Sequence, residues 1–125
     1  MAPLDAQGNY FAGDKIRADA ALASAARTAS GAGTAFNTNQ ANSFEATLTV
    51  SAHAGTLPTL DVRLETSIDG GTSYDTVGSF AQFTTTDGTD GHVFGPLGDT
   101  CRWAWTIGGS SGQSFTFSIA VEEDR

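Results

Sequence analysis

Positive charge is what this sequence has least of. Six Lys and Arg stand against 14 Asp and Glu, a formal net charge of −8. Nucleic acid and anionic membranes both call for a basic surface, so neither is an expected partner. Charged residues of either sign make up only 16% of the chain, which favours strands and turns over helices. One cysteine, Cys101, rules out an intrachain disulfide. It lies in an alternating apolar stretch and reads as a small buried hydrophobe, not a reactive thiol. His53 and His92 are the two histidines, and neither has a second His or Cys at zinc-ligand spacing. No apolar run approaches the roughly 20 residues of a membrane helix. The first residues show neither the basic nor the apolar segment of a secretory signal, so synthesis in a cytoplasm is expected.

What is abundant is strand and turn material. There are 15 Gly and eight Phe in 125 residues, with many Thr and Ser. A chain of this length is expected to form one domain, burying about two thirds of its unfolded surface.

The most informative stretch runs from Leu57 to Phe80, LPTLDVRLETSIDGGTSYDTVGSF. Leu60, Val62 and Leu64 point one way, and Asp61, Arg63 and Glu65 the other. That period of two marks a strand with one buried face. Asp69, Gly70 and Gly71 then supply turn chemistry for a returning strand. Phe44, Ala46, Leu48 and Val50 alternate with Glu45, Thr47, Thr49 and Ser51 in the same manner. His53-Ala54-Gly55 reads as the connection to the hairpin, and Pro58 as a strand start. Tyr74, Val77, Phe80 and Phe83 are spaced by three, which predicts a bulge at Gly78.

Later, Cys101, Trp103, Trp105 and Ile107 alternate, then Phe115, Phe117, Ile119 and Val121. Between them GGSSG reads as a turn. The two last strands are the most hydrophobic and are expected to lie centrally. Thr84–Gly91 reads as a surface loop, Gly31-Ala32-Gly33 as a turn and Asn37–Asn42 as a loop. Ala18–Ser30 is ambiguous: its alanines favour a helix, its Thr/Ser-rich end and its context a strand over 21–29.

The expected fold is therefore all-β. It is an antiparallel β-sandwich, jelly-roll-like or immunoglobulin-like, of seven to eight short strands. Residues 18–125 form this domain. Residues 1–17 have no period of their own and form an N-terminal arm. Phe44, Leu48, Val50, Val62, Leu64, Trp103, Trp105, Phe115, Phe117 and Ile119 are the expected core.

Chemistry-bearing motifs are weak. Ser67, Asp69, Gly71 and Tyr74 resemble the Asp-box, S-x-D-x-G-x-x-aromatic, of sialidase propeller blades. There the motif is structural. The side chains hold the turn backbone and the aromatic ring packs over it, and the same role is expected here. Gly108–Gly112 fits G-x-S-x-G, but a nucleophile elbow needs a following helix, and QSFTFSIAV is a strand pattern. Asp87 and Asp90 share a loop that could hold calcium weakly, but lack the EF-hand spacing and read as a solvated turn. Phosphate-loop and dinucleotide motifs are missing, and no carboxylate pair is framed for acid–base work. No cofactor, metal or catalytic residue is expected.

LPTLDVRLETSIDGGTSYDTVGSF, VFGPLGDTCRWAWTIGG, SFTFSIAV and SAARTASGAGTA together resemble a group of small proteins encoded among the structural genes of tailed bacteriophages, especially those of high-GC hosts. The resemblance covers about residues 22–121 and tips the alanine-rich segment towards a strand. It implies a non-enzymatic β-sandwich component of the virion. The expected role is capsid decoration on the particle exterior, bound to the major capsid protein, to copies of itself, or to both as a homo-oligomer. Leu4, Tyr10, Phe11 and Ile16 on the arm are the candidate partner-binding residues. The competing expectations are a tail or receptor-binding module, and a small carbohydrate-binding sandwich with Trp103, Trp105 or Tyr74 as its stacking platform.

Overall fold

The computed structural model describes residues 17–39 and 41–124. Leu4, Tyr10, Phe11 and Ile16 lie outside the described residues. Among those described there is no helix.

Seven strands form one antiparallel sheet. They are β1 (Leu22–Arg27), β2 (Gly31–Ala32), β3 (Phe36–Asn37), β4 (Ser43–Ser67), β5 (Asp75–Ser79), β6 (Gly88–Phe94) and β7 (Thr100–Asp124). The fold is all-β and antiparallel, as expected, and the alanine-rich segment is a strand. The strands differ from the expectation in length. β4 and β7 are each 25 residues long. They pair with one another from Ser43↔Asp124 to Ser67↔Thr100.

This β4–β7 ribbon is the spine of the molecule. Around its first half, β1 pairs with Arg27↔Phe115 on β7, and β6 with Val50↔Gly88 on β4. Around its second half, β2 and β3 pair with β7, and β5 with β4. The inner faces of the two halves meet. Trp103 on the second half lies edge-on to Phe94 on the first, with ring centroids 5.4 Å apart. Trp105 meets Phe117 at 5.7 Å, and Phe36 meets Phe44 at 5.8 Å. One sheet has doubled over and enclosed its own apolar face.

The connection expected at His53-Ala54-Gly55 and the turn expected at GGSSG are corrected by this arrangement. Both stretches are strand: His53 and Ala54 pair with Phe115 and Ser114, and Gly108 and Ser110 with Thr59 and Thr56. The glycines serve bulges instead of reversals. The register shifts between Val50 and Ala52, Ala54 and Thr56, and Thr56 and Thr59, and Gly55, Gly109 and Gly112 have positive φ. Bulges bend and twist a ribbon, and here they carry it from one half to the other. Two smaller corrections follow the same logic. Gly31–Ala32 pairs with β7 instead of turning, and residues 88–91, placed in the Thr84–Gly91 loop, belong to β6. Neither segment has apolar alternation, so only the neighbouring strand defines it. The bulge at Gly78 is present: Leu64 faces Gly78 and Glu65 faces Thr76, leaving Val77 extra.

All ten expected core residues are buried, joined by Leu60, Phe80, Phe94 and Cys101. Burying each large apolar side chain contributes about 1.5–3 kcal/mol. The tryptophans also need partners for their N–H groups. Trp103 Nε1 donates to the Ala20 carbonyl at 2.7 Å, and Trp105 Nε1 to the Ala29 carbonyl at 3.1 Å. The segments on either side of β1 are thereby pinned over the core. Arg27 covers the same edge, its guanidinium 4.4 Å from the Phe117 ring and 4.9 Å from that of Trp105.

Candidate functional site

The Ser67–Tyr74 turn joins β4 to β5. Ser67 is the last residue of β4 and is buried. Its hydroxyl donates to Asp69 Oδ1 at 2.6 Å and accepts from the Gly71 N–H at 2.9 Å. Asp69 Oδ1 accepts from the Thr72 and Ser73 N–H groups at 3.1 and 3.0 Å, and Oδ2 from the Ser73 hydroxyl at 2.7 Å. The Ser67 and Ser73 hydroxyls and the Ser73 and Thr72 N–H groups stabilise the carboxylate. They hold its pKa well below the usual carboxylate range. Gly71 has a φ of +96°, and a Cβ there would lie 3.1 Å from the Tyr74 hydroxyl. The four residues singled out for this turn therefore meet in one knot, and the knot closes on its own backbone.

Tyr74 links the turn to the outer face of the second half. The Arg102 guanidinium lies 3.9 Å from the Tyr74 ring centroid. Arg102 Nε donates to Glu65 Oε1 at 2.8 Å, and Arg63 Nε to Glu65 Oε2 at 2.9 Å. Burial raises the Glu65 pKa, but the two guanidiniums outweigh it, and the net shift is downward. The period-2 pattern placed these residues on one face, opposite the core. The cross-strand pair Glu65↔Arg102 brought the partner from 37 residues away.

The remaining candidates are separated. His53 Nδ1 and Asp87 Oδ1 are 2.7 Å apart. Asp90 Oδ2 accepts from the Ala81 N–H at 2.9 Å. The two loop aspartates thus point at different partners. Among the described residues, no three His, Cys, Asp or Glu side chains converge as a metal site would need. Ser110 of the G-x-S-x-G match sits in β7 opposite Thr56, with strand on both sides. Trp103 and Trp105 are 2% and 8% exposed, so neither offers a stacking face, and Arg102 covers the ring of Tyr74.

Two features had no signal in the sequence. Arg17, the last residue of the expected arm, is 7% exposed. Its N–H donates to the Val121 carbonyl at 2.9 Å, and its guanidinium reaches Asp19, Glu123 and the carbonyls of Asn37 and Thr38. Beside it is an open depression of about 770 Å³, lined by Asn37, Asn39, Asn42 and Asp99 among others. The second feature is Leu57, 81% exposed with a φ of +48°. No protein-family model matches the chain, and no curated protein matches it.

Proposed function

We propose that the chain is a non-enzymatic structural component of a tailed-phage particle, a decoration protein on the capsid exterior. It binds the major capsid protein, copies of itself, or both. The observation that carries the non-enzymatic part is the use made of polar groups. Asp69 and Ser67 hold a turn, Glu65 ties Arg63 to Arg102, and Arg17 ties both ends of the domain together. In each cluster the polar side chains bond to one another or to the backbone. The particle assignment rests on the likeness of residues 22–121 to phage structural proteins. A doubled sheet with a spine of two 25-residue strands suits a part that adds stability to a lattice. Against the carbohydrate reading stands the burial of both tryptophans.

Attachment needs an apolar anchor at its centre. Leu4, Tyr10, Phe11 and Ile16 supply apolar groups ahead of Arg17, where the domain begins. The test is co-sedimentation of the purified chain with purified capsids, followed by cryo-electron microscopy. Full-length protein should appear on the capsid exterior, and protein lacking residues 1–16 should be depleted there with its melting temperature retained. Density on the tail, or equal capsid occupancy by both forms, would overturn the corresponding part of the reading.

A further inference from the structure

A covalent reaction that needs no partner, cofactor or oxidant is open to this chain. The dipeptide Asp-Gly occurs at Asp69-Gly70, Asp87-Gly88 and Asp90-Gly91. Glycine has no side chain to shield its N–H, so its nitrogen can attack the side-chain carboxyl carbon of the aspartate before it. A C–N bond forms. One carboxyl oxygen leaves as water, taking the amide proton and the carboxyl proton, and a succinimide ring remains. Water then opens the ring. Attack at the side-chain carbonyl restores aspartate. Attack at the main-chain carbonyl leaves isoaspartate, in which the chain runs through the side-chain carbon and the α-carboxylate is free. One water leaves and one returns, so nothing is oxidised or reduced and the mass is unchanged.

The fold treats the three sites differently. The Asp69 carboxylate accepts from the Ser67 and Ser73 hydroxyls and from the Thr72 and Ser73 N–H groups. Those bonds fix its direction and favour its ionised form, which is a poor target for a nucleophile. Asp90 and Gly91 lie inside β6, opposite Leu48 and Thr47, and Asp90 Oδ2 accepts from the Ala81 N–H at 2.9 Å. The ladder keeps that backbone extended, whereas ring closure needs it to fold back. Asp87 stands one residue before β6. Phe83 is bonded to Leu60 in both directions, but among the described residues 84–87 make no backbone–backbone hydrogen bond. The Asp87 side chain is exposed, and its one contact is His53 Nδ1 at 2.7 Å, itself on a part-exposed ring. A segment so lightly bonded opens at little cost.

Local sequence does not make this distinction. Residues 86–88 and 89–91 are the same tripeptide, Thr-Asp-Gly, twice in tandem. Register alone puts the first aspartate outside the ladder and the second inside it.

We propose that Asp87 is a modification site, the aspartate of this chain that isomerises, and that the fold protects Asp69 and Asp90. The product has one more backbone atom just before β6, and its carboxylate no longer stands where His53 meets it. The crossover from Phe83 to Gly88, which carries the chain from beside Leu60 to beside Val50, loosens as the folded protein ages.

The test is incubation of the full chain at neutral pH in water enriched in heavy oxygen, which ring opening inserts into the reacting residue. Mass spectrometry with electron-transfer fragmentation then reads the label, and separates isoaspartate from aspartate, at each site. In the native protein Asp87 should take up label about tenfold faster than Asp90, a ratio equivalent to about 1.4 kcal/mol of restraint. In urea the two copies of Thr-Asp-Gly should react at the same rate. Ser67→Ala, which opens the knot around Asp69, should speed the reaction there and leave Asp87 as it was. Equal native rates at Asp87 and Asp90, or a lead for Asp69 or Asp90, would overturn the proposal. So would a difference between Asp87 and Asp90 that persists in urea, because the fold would then not be its cause. An unchanged rate at Asp69 in the Ser67→Ala protein would remove the protection assigned to the knot. None of these outcomes bears on the virion reading.

Discussion

Arg17 and Glu123 meet at 3.0 Å, although 106 residues separate them in the chain. Both are buried, and the contact joins the first described residue to the end of β7. Asp19, and behind it Glu123, stabilise the guanidinium against the cost of burying it, and the Arg17 pKa rises. Removing the Arg17 guanidinium takes away its bonds to Glu123, Asp19 and the Asn37 and Thr38 carbonyls together, and breaking such a buried ionic network costs about 3–5 kcal/mol. Arg17→Met should therefore destabilise the domain by about 3 kcal/mol in a urea titration. The double variant with Glu123→Met should be less unstable than the sum of the two singles. Simple additivity would show that the pair is not coupled.

Asp69 makes stability depend on acid. Its folded-state pKa is depressed, and the unfolded value is about 3.9. The carboxylate's contribution is present above about pH 4 and is lost as pH falls through the folded value. Asp69→Asn should lower the melting temperature at neutral pH. The gap to the parent protein should close as the pH drops below about 4. A gap that is constant with pH would mean that the charge does not hold the turn.

Phe117 is fully buried, with Arg27 over its ring and Trp105 against its edge. Phe117→Ala should cost about 3–5 kcal/mol, from lost transfer energy plus an unfilled cavity. Phe117→Leu should cost less. Equal losses would place the cause outside the cavity.

Cys101 is fully buried, with its Sγ 3.4 Å from Thr66 Oγ1. Burial pushes the thiol pKa up, so little thiolate forms. A disulfide reagent should modify it slowly in the native protein and rapidly in urea. Rapid native modification would show that the strand ends at Thr66 and Cys101 open readily.

Much of the fold is legible residue by residue. The alternation of Phe44, Leu48 and Val50, and of Trp103, Trp105 and Phe117, states which side of a strand is buried. Burial then follows, because a sheet with one apolar face must cover it. The Ser67–Tyr74 turn is legible for a different reason: all of its hydrogen bonds lie within a few residues, so its chemistry is local. Tertiary structure alone decided what the glycines at Gly55 and Gly108–Gly112 do. Positive φ serves a tight turn and a bulge equally well, and the sequence reads as a connection at the first and a turn at the second. What makes them bulges is that β4 and β7 pair with each other on both sides of them, from Ala54↔Ser114 to Thr56↔Ser110 and Thr59↔Gly108. Arg17 is the same case. Nothing beside it in sequence marks it as buried, and its counter-charge lies at the far end of the chain. Local alternation and turn chemistry are written in neighbouring residues. Pairing across the sheet is settled only when the whole chain competes for partners.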